Sequence, residues 1–189
     1  MEGEVSGLLG RVAHLLEAAG IPFMVAGSFA STAHGLPRST QDLDLVIDPP
    51  SAAAFEALLA SIPVEQYYVD ADAARDALRR RSMFNLIDLT SGWKVDLILR
   101  KNRAFSRDEF ARRMKMSVLG VQVFVASPED TIVAKLEWSK LAGGSQRQRR
   151  DVAGIVATVG DGLDRGYIEG WVRELDLADE WEAAKASET

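Results

Sequence analysis

The chain contains no cysteine, so it can form no disulfide framework, no thiolate zinc site and no cysteine nucleophile. Its two histidines, His14 and His34, are far apart in sequence and offer no paired metal ligands. No apolar run approaches the ~20 residues that span a membrane. The N-terminal stretch lacks the basic and apolar segments of a signal peptide. We therefore expect a cytoplasmic protein with no membrane partner.

An excess of basic residues is also absent. The formal net charge is -6, whereas broad affinity for nucleic acid usually requires a basic domain. Short basic runs at 79–81, 112–115 and 147–150 are typical of solvated faces, and one of them could still contact RNA phosphates. The 189 residues are 47% hydrophobic and 26% charged, which is an ordinary composition for a globular domain.

Helical and strand patterns alternate over residues 1–126, and only helical patterns follow over 127–189. Ser51 is a predicted N-cap, and Ser127 with Asp130 forms a predicted capping box that has Pro128 at the first helical position. We predict an α/β (α+β) fold: a small, mixed, twisted sheet flanked by helices, plus a helical C-terminal region. The predicted domains are 1–126 and 127–189.

Two aspartates interrupt an otherwise apolar strand, "DLDLVID". Asp42 and Asp44 are two residues apart, so their side chains leave the same face of the strand, with Cα atoms roughly 6.6 Å apart. Adjacent anions repel and are costly to desolvate. A divalent cation would offset that cost, and oxygen ligands favour Mg²⁺ or Mn²⁺.

A third strand aspartate, Asp96 in "WKVDLIL", resembles the first two in its surroundings. Three aspartates on neighbouring strands suit a two-metal phosphoryl or nucleotidyl transfer site, with Asp42, Asp44 and Asp96 as metal ligands. Asp88 is a further strand acid. A two-residue turn at 91–92 would pair it with Val95 rather than Asp96, so we rank Asp88 below the others.

The segment before the aspartates has features of a phosphate site. Gly27 and Ser28 end one predicted strand and begin a short helix, where free N–H groups can receive phosphate. Arg38, in the following loop, has a guanidinium that matches phosphate geometry. We assign Gly27, Ser28, Arg38 and Thr40 to nucleotide binding.

Each of these features also has a structural interpretation. The Asp42–Asp44 pair could be a strand-edge cap plus an exposed position, and Asp96 a surface acid of a hairpin. Gly27-Ser28 could be only a tight turn, and Arg38 a solvated loop charge. Taken together, the three aspartates and the upstream Gly-Ser favour the site.

The combination of these motifs resembles a known superfamily. Gly27-Ser28, thirteen intervening residues, Asp42-x-Asp44 and a later strand Asp96 are similar to the DNA polymerase beta-like nucleotidyltransferases. Within it, "RSTQDLDLVI" and "PEDTIVAKLEW…RQRRDVAGI" resemble the AbiEii/AbiGii group, toxins of type IV toxin–antitoxin and abortive-infection pairs. MenT-type toxins, some of which add nucleotides to tRNA 3′ ends, are relatives. The resemblance runs over residues 25–156.

The resemblance implies a nucleotidyltransferase catalytic core in the first domain and adds two catalytic residues, Lys135 and Asp151. On sequence alone, Lys135 would be a snorkelling lysine and Asp151 an acid favoured by the helix dipole. The implied reaction moves a nucleoside monophosphate from an NTP to an acceptor hydroxyl, with Mg²⁺ or Mn²⁺ as cofactor. The implied acceptor is RNA, such as tRNA, and the implied protein partner is a cognate antitoxin.

Two other functions remain open at this point. The same core could nucleotidylate a small molecule, such as an antibiotic hydroxyl, or a protein. Alternatively, the chain could be a non-catalytic module that binds a nucleotide or a partner, although the presence of all three strand aspartates argues against that.

Overall fold

A computed structural model describes residues 2–186. The helices and strands, in chain order, are α1 (Glu2–Ala18), β1 (Phe23–Val25), α2 (Gly27–His34), β2 (Asp42–Ile47), α3 (Ala52–Ser61), β3 (Tyr67–Val69), α4 (Ala71–Arg80), β4 (Met83–Asp88), β5 (Lys94–Leu99), α5 (Ala104–Ala111), β6 (Met114–Val118), β7 (Val121–Val125), α6 (Pro128–Leu141), α7 (Gln146–Val159), α8 (Arg165–Glu174) and α9 (Ala178–Lys185). Among the helices so described, none has the length and apolarity needed to cross a bilayer.

The strands of the described residues form one sheet in the order β3-β4-β5-β2-β1-β7-β6. Strand β2 runs parallel to β5, and β1 runs parallel to β7, while the other neighbours are antiparallel. The sheet is therefore mixed. This confirms the predicted α/β class with a mixed sheet flanked by helices.

The central strands β2 and β5 bury one face. The side chains on that face are at most 1% exposed, and they are Leu43, Leu45, Ile47, Val95, Leu97 and Leu99. Because side chains alternate along a strand, the residues between them point to the opposite, less buried face. That alternation is the reason the three aspartates lie together on one side of the sheet.

The described chain divides into two compact units. One comprises the residues up to Ala26 together with Thr40–Val125, and it contains the sheet with α1, α3, α4 and α5. The other comprises Gly27–Ser39 together with the residues from Ala126 onward, and it contains α2 and α6 to α9. The predicted C-terminal region thus forms most of the second unit. That unit also includes segment 27–39, which the sequence analysis grouped with the sheet.

The predicted helix starts at Ser51 and Ser127 are confirmed. Ser51 Oγ accepts a hydrogen bond from the Ala54 N–H at 3.1 Å. Ser127 Oγ accepts one from the Asp130 N–H at 3.1 Å, with proline at the next position. Each hydroxyl satisfies a backbone donor that has no partner within its own helix.

Strand β6 was not predicted from the sequence. Its apolar residues Met114, Met116 and Val118 alternate with polar ones, but only Val118 of the five residues is buried, so the strand contributes little to the core. It pairs with β7 through a two-residue turn in which Leu119 and Gly120 both have positive φ, 51° and 81°. Leucine is an uncommon residue in such a turn, so the turn that joins β6 to β7 has no typical sequence signal.

The predicted register of the β4–β5 hairpin is wrong. Asp88 lies opposite Trp93, since its N–H donates to the Trp93 carbonyl, and it does not pair with Val95. The connection is longer than two residues because the Asp88 carboxylate organises it. Its oxygens accept from the Thr90 N–H and the Ser91 hydroxyl, each at 3.0 Å.

In the second unit, His34 at the end of α2 is buried, with 8% of its surface exposed. Its Nε2 lies 2.7 Å from the Ala126 carbonyl oxygen, so a neutral ring can donate this hydrogen bond. Burial lowers the pKa of His34 below its usual 6.5. The charged imidazolium is therefore disfavoured in the folded state.

We expect His34 to make folding sensitive to mild acid. The unfolded state binds the proton at a higher pH than the folded state, so this contribution to stability is complete above pH 6.5 and is lost as the pH falls below it. Urea unfolding at about pH 7.5 and about pH 5.5 should show a larger loss of stability in the wild type than in His34→Gln. Since His14 is exposed, equal losses in both proteins would contradict the assignment to His34.

Candidate active site

The three predicted metal ligands lie on two adjacent strands of the first unit. Asp44 on β2 is directly opposite Asp96 on β5, and Asp42 is opposite Lys94. Asp96 is 6% exposed, while Asp42 and Asp44 are half-buried. Adjacent strands lie about 4.8 Å apart, so the pairing gathers three carboxylates in a small area. We call Asp42, Asp44 and Asp96 the carboxylate cluster.

Both oxygens of Asp96 accept hydrogen bonds from neighbouring side chains. Asn85, opposite Asp96 on β4, donates from Nδ2 to Oδ1. The Lys94 ammonium lies 3.1 Å from Oδ2. These two donors hold the Asp96 carboxylate in one orientation.

The cluster creates a negative potential around Lys94. The hydrogen bond to Asp96 raises the pKa of Lys94, and the charges of Asp96, Asp42 and Asp44 raise it further against the lowering effect of burial. Since Lys94 and Asp96 are two residues apart on one strand, they share a face. Lys94 is therefore the positive partner of the carboxylate cluster.

Thr40 contacts the cluster from the loop before β2. Its hydroxyl donates to Asp42 Oδ1 at 2.5 Å and also lies 3.3 Å from the Asp42 carbonyl oxygen. The hydroxyl thereby orients a carboxylate that was predicted to bind metal. Thr40 itself was predicted to contact nucleotide.

Within residues 2–186, no group of three or more histidine, aspartate or glutamate side chains is arranged to hold a metal ion. The donors of the carboxylate cluster are nevertheless of the right kind for Mg²⁺ or Mn²⁺, because they are carboxylate oxygens on one face of a sheet. Magnesium commonly takes only one or two protein carboxylates and completes its shell with water and phosphate oxygens. The residues present therefore fit a hard divalent cation.

Three other predicted residues, Ser28, Arg38 and Lys135, belong to a network around the predicted Asp151 in the second unit. The Asp151 carboxylate accepts from the Lys135 ammonium at 2.6 Å and from Arg38 Nε at 3.0 Å. Arg38 also donates to the Ser28 hydroxyl, and Lys135 donates to Gln148 Oε1 at 3.1 Å. The Lys135 and Asp151 side chains are 5% and 8% exposed, and that of Arg38 is 22% exposed. We call these five residues the Asp151 network.

Two glycines shape this part of the chain. Gly27, the first residue of α2, has φ 56°, a left-handed conformation that favours glycine. At Gly35, an added Cβ would lie 2.9 Å from the Ile155 backbone nitrogen on α7. This close approach brings the end of α2 against α7. The loop that carries Arg38 consequently runs beside Asp151.

The predicted site residues thus lie in two sets, one in each unit. Asn85, Lys94 and Gln148, which contact them, were not predicted. The position of Lys94, two residues before Asp96 on a predicted strand, was a usable indication. Asn85 could not be placed because the predicted hairpin register was wrong.

The chain has no match among protein-family models and no significant match among curated proteins. The predicted AbiEii/AbiGii grouping therefore stays a prediction.

Several solved structures are similar in fold. The antibiotic-resistance factor ANT(2'')-Ia matches with a TM-score of 0.59 over 99% of this chain and 98% of that chain, at 13% identity. The lincosamide antibiotic adenylyltransferase LnuA matches with a TM-score of 0.52 over 78% and 93%, at 11% identity. An antigenic nucleotidyltransferase-like protein from Paracoccidioides brasiliensis matches with a TM-score of 0.52 over 96% and 92%, at 18% identity. The chain therefore has the nucleotidyltransferase fold.

Proposed function

We propose that the protein is a nucleotidyltransferase that moves a nucleoside monophosphate from an NTP to an acceptor hydroxyl and releases pyrophosphate. The observation that carries the proposal is the direct pairing of Asp44 with Asp96 on adjacent strands, with Asp42 two residues away on the same face. The similarity in fold to nucleotidyltransferases supports it.

In the first unit, Asp42 and Asp44 would hold one divalent cation, and Asp96 would hold a second one and face the acceptor. The acceptor oxygen forms a bond to the α-phosphorus, and the bond from the α-phosphorus to the oxygen that bridges it to the β-phosphorus breaks. Asp96 takes the proton of the acceptor hydroxyl. Thr40 supports this arrangement through its hydrogen bond to Asp42.

Mg²⁺ or Mn²⁺, when bound, would neutralise charge on the triphosphate and make the acceptor hydroxyl easier to deprotonate. One or two of the three carboxylates of the cluster would suffice for each ion, with water and phosphate oxygens completing its shell.

In the second unit, Gly27, Ser28 and Arg38 would contact phosphate. Arg38 is the most exposed cation of the Asp151 network, and its guanidinium can make paired hydrogen bonds to phosphate oxygens. Lys135 and Asp151 are more deeply buried, so we assign them to positioning Arg38. Lys135 adds positive charge to the same network.

We propose RNA, in particular tRNA, as the acceptor, because the motifs resemble those of toxins that modify tRNA. The resemblance also implies a cognate antitoxin as partner. A second candidate is the hydroxyl of a small molecule. It is favoured by the match over nearly the whole length of ANT(2'')-Ia, a protein also solved in complex with adenylyl-2''-tobramycin.

Labelled NTPs test the reaction and the acceptor together. The purified protein is incubated with Mg²⁺, each α-labelled NTP, and either total RNA or a panel of aminoglycoside and lincosamide antibiotics. We expect label in tRNA-sized RNA. Label only in the antibiotics, or only in protein, would overturn the RNA acceptor while retaining the reaction. Absence of transfer to any acceptor, with no stabilisation of the fold by NTP and metal, would favour a non-catalytic module.

A further inference from the structure

Lys94 lies beside the carboxylate cluster, although it belongs to none of the motifs found in the sequence. It lies on β5 opposite Asp42 and two residues before Asp96, so its side chain leaves the face that carries the three carboxylates. Its ammonium lies 3.1 Å from Asp96 Oδ2. The protein thus provides a cation of its own at the site where we propose a divalent cation binds.

Each oxygen of the Asp96 carboxylate has a nitrogen donor from a neighbouring side chain. Asn85 donates to one oxygen and Lys94 to the other. The Asp96 side chain is 8% exposed, whereas that of Lys94 is 42% exposed. The carboxylate is therefore fixed, while the ammonium at the end of a flexible side chain can move out into solvent.

Three carboxylates on adjacent positions repel one another when no metal is bound. A single ammonium offsets part of that repulsion, and it does so at short range and in a partly buried position. The same ammonium repels an incoming divalent cation. Removing the charge of Lys94 should therefore both increase the repulsion among the carboxylates in the metal-free protein and strengthen the binding of a divalent cation.

We propose that Lys94 is a tethered counter-ion of the carboxylate cluster, which holds Asp96 in the metal-free protein and is displaced when a divalent cation binds. Lys94 thereby sets the concentration of metal that the protein requires. This inference rests on the proposed function, because it takes the carboxylate cluster to be the metal site.

The alternative is that the Lys94–Asp96 ion pair has no effect on metal binding, since many ion pairs near a protein surface contribute little. The two interpretations differ in what happens to metal binding. An incidental pair would leave the affinity for metal unchanged, whereas a counter-ion competes with the metal directly.

The test measures Mn²⁺ binding without nucleotide, through the electron paramagnetic resonance signal of free Mn²⁺, at constant ionic strength. Lys94→Met removes the charge and keeps a similar chain length, and Lys94→Arg is the matched control that keeps the charge. We expect Lys94→Met to bind Mn²⁺ roughly tenfold more tightly than the wild type, and Lys94→Arg to bind like the wild type. In EDTA, Lys94→Met should melt at a lower temperature than the wild type, and saturating Mn²⁺ should raise its melting temperature by more.

Equal or weaker Mn²⁺ binding by Lys94→Met would overturn the inference and leave the proposed metal site in place. Failure of both the wild type and Lys94→Met to bind Mn²⁺ without nucleotide would overturn the inference. Failure of both to bind Mn²⁺ also in the presence of a non-hydrolysable NTP analogue would overturn the metal-dependent part of the proposed function as well. The two failures are therefore distinguishable in a pair of titrations.

Discussion

Replacing Asp44 with asparagine is expected to reduce nucleotidyl transfer by about 10²-fold or more. Asp44 lies directly opposite Asp96 and two residues from Asp42, so it contributes one of the three closely spaced negative charges. Asparagine keeps the shape of the side chain and removes the charge. The loss should be measured as transfer of α-labelled nucleotide under the conditions that give activity in the wild type.

The fold should survive this substitution, because removing one of three like charges relieves repulsion. Asp88→Asn is the matched control. Asp88 belongs to the same sheet, but it lies on the core face with Phe84 and Leu86, is 3% exposed, and pairs with Arg11 at 2.9 Å. We expect Asp88→Asn to lower stability and to retain transfer. Retained transfer in Asp44→Asn, or loss of transfer in both variants, would refute the assigned role of Asp44.

The sequence predicted the strands that carry the carboxylates because their pattern is local. Apolar residues at alternate positions identify the buried face of β2, and aspartates at the remaining positions must share the other face. The proximity of Asp96 to Asp44 is a long-range fact that spacing alone does not determine. We expected it because Asp96 lies in a second apolar strand and because the motifs resemble those of nucleotidyltransferases, and the strand register agrees with it.

The residues that the sequence did not identify are those whose role depends on pairing across strands or between helices. Asn85 meets Asp96 only because the β4–β5 connection is four residues long, and the Asp88 carboxylate organises that connection through hydrogen bonds. Lys135 and Asp151 were expected only through the resemblance, because their contact also depends on packing between helices. Each had a simple local explanation in sequence, and only the packing of α6 against α7 makes them an ion pair.

Replacing Asp151 with alanine should destabilise the protein by about 3–5 kcal/mol. The Lys135 ammonium lies 2.6 Å from Asp151, and both side chains are at most 8% exposed. Without the carboxylate, a buried positive charge loses its anion, and Arg38 loses the acceptor of its Nε hydrogen bond. Urea or thermal unfolding, monitored by circular dichroism, measures the loss.

A double variant separates the role of this ion pair in stability from its role in catalysis. Lys135→Met with Asp151→Leu replaces the pair with apolar side chains of similar size, and such replacements are often neutral in stability or better. We expect the double variant to regain most of the stability lost in Asp151→Ala. Because Arg38 would still lack the acceptor that orients it, nucleotidyl transfer should remain impaired, with a raised KM for NTP. A loss of less than about 1 kcal/mol in the free energy of unfolding of Asp151→Ala would contradict a buried, charged pair. Full nucleotidyl transfer by the folded double variant would show that the pair acts only in folding.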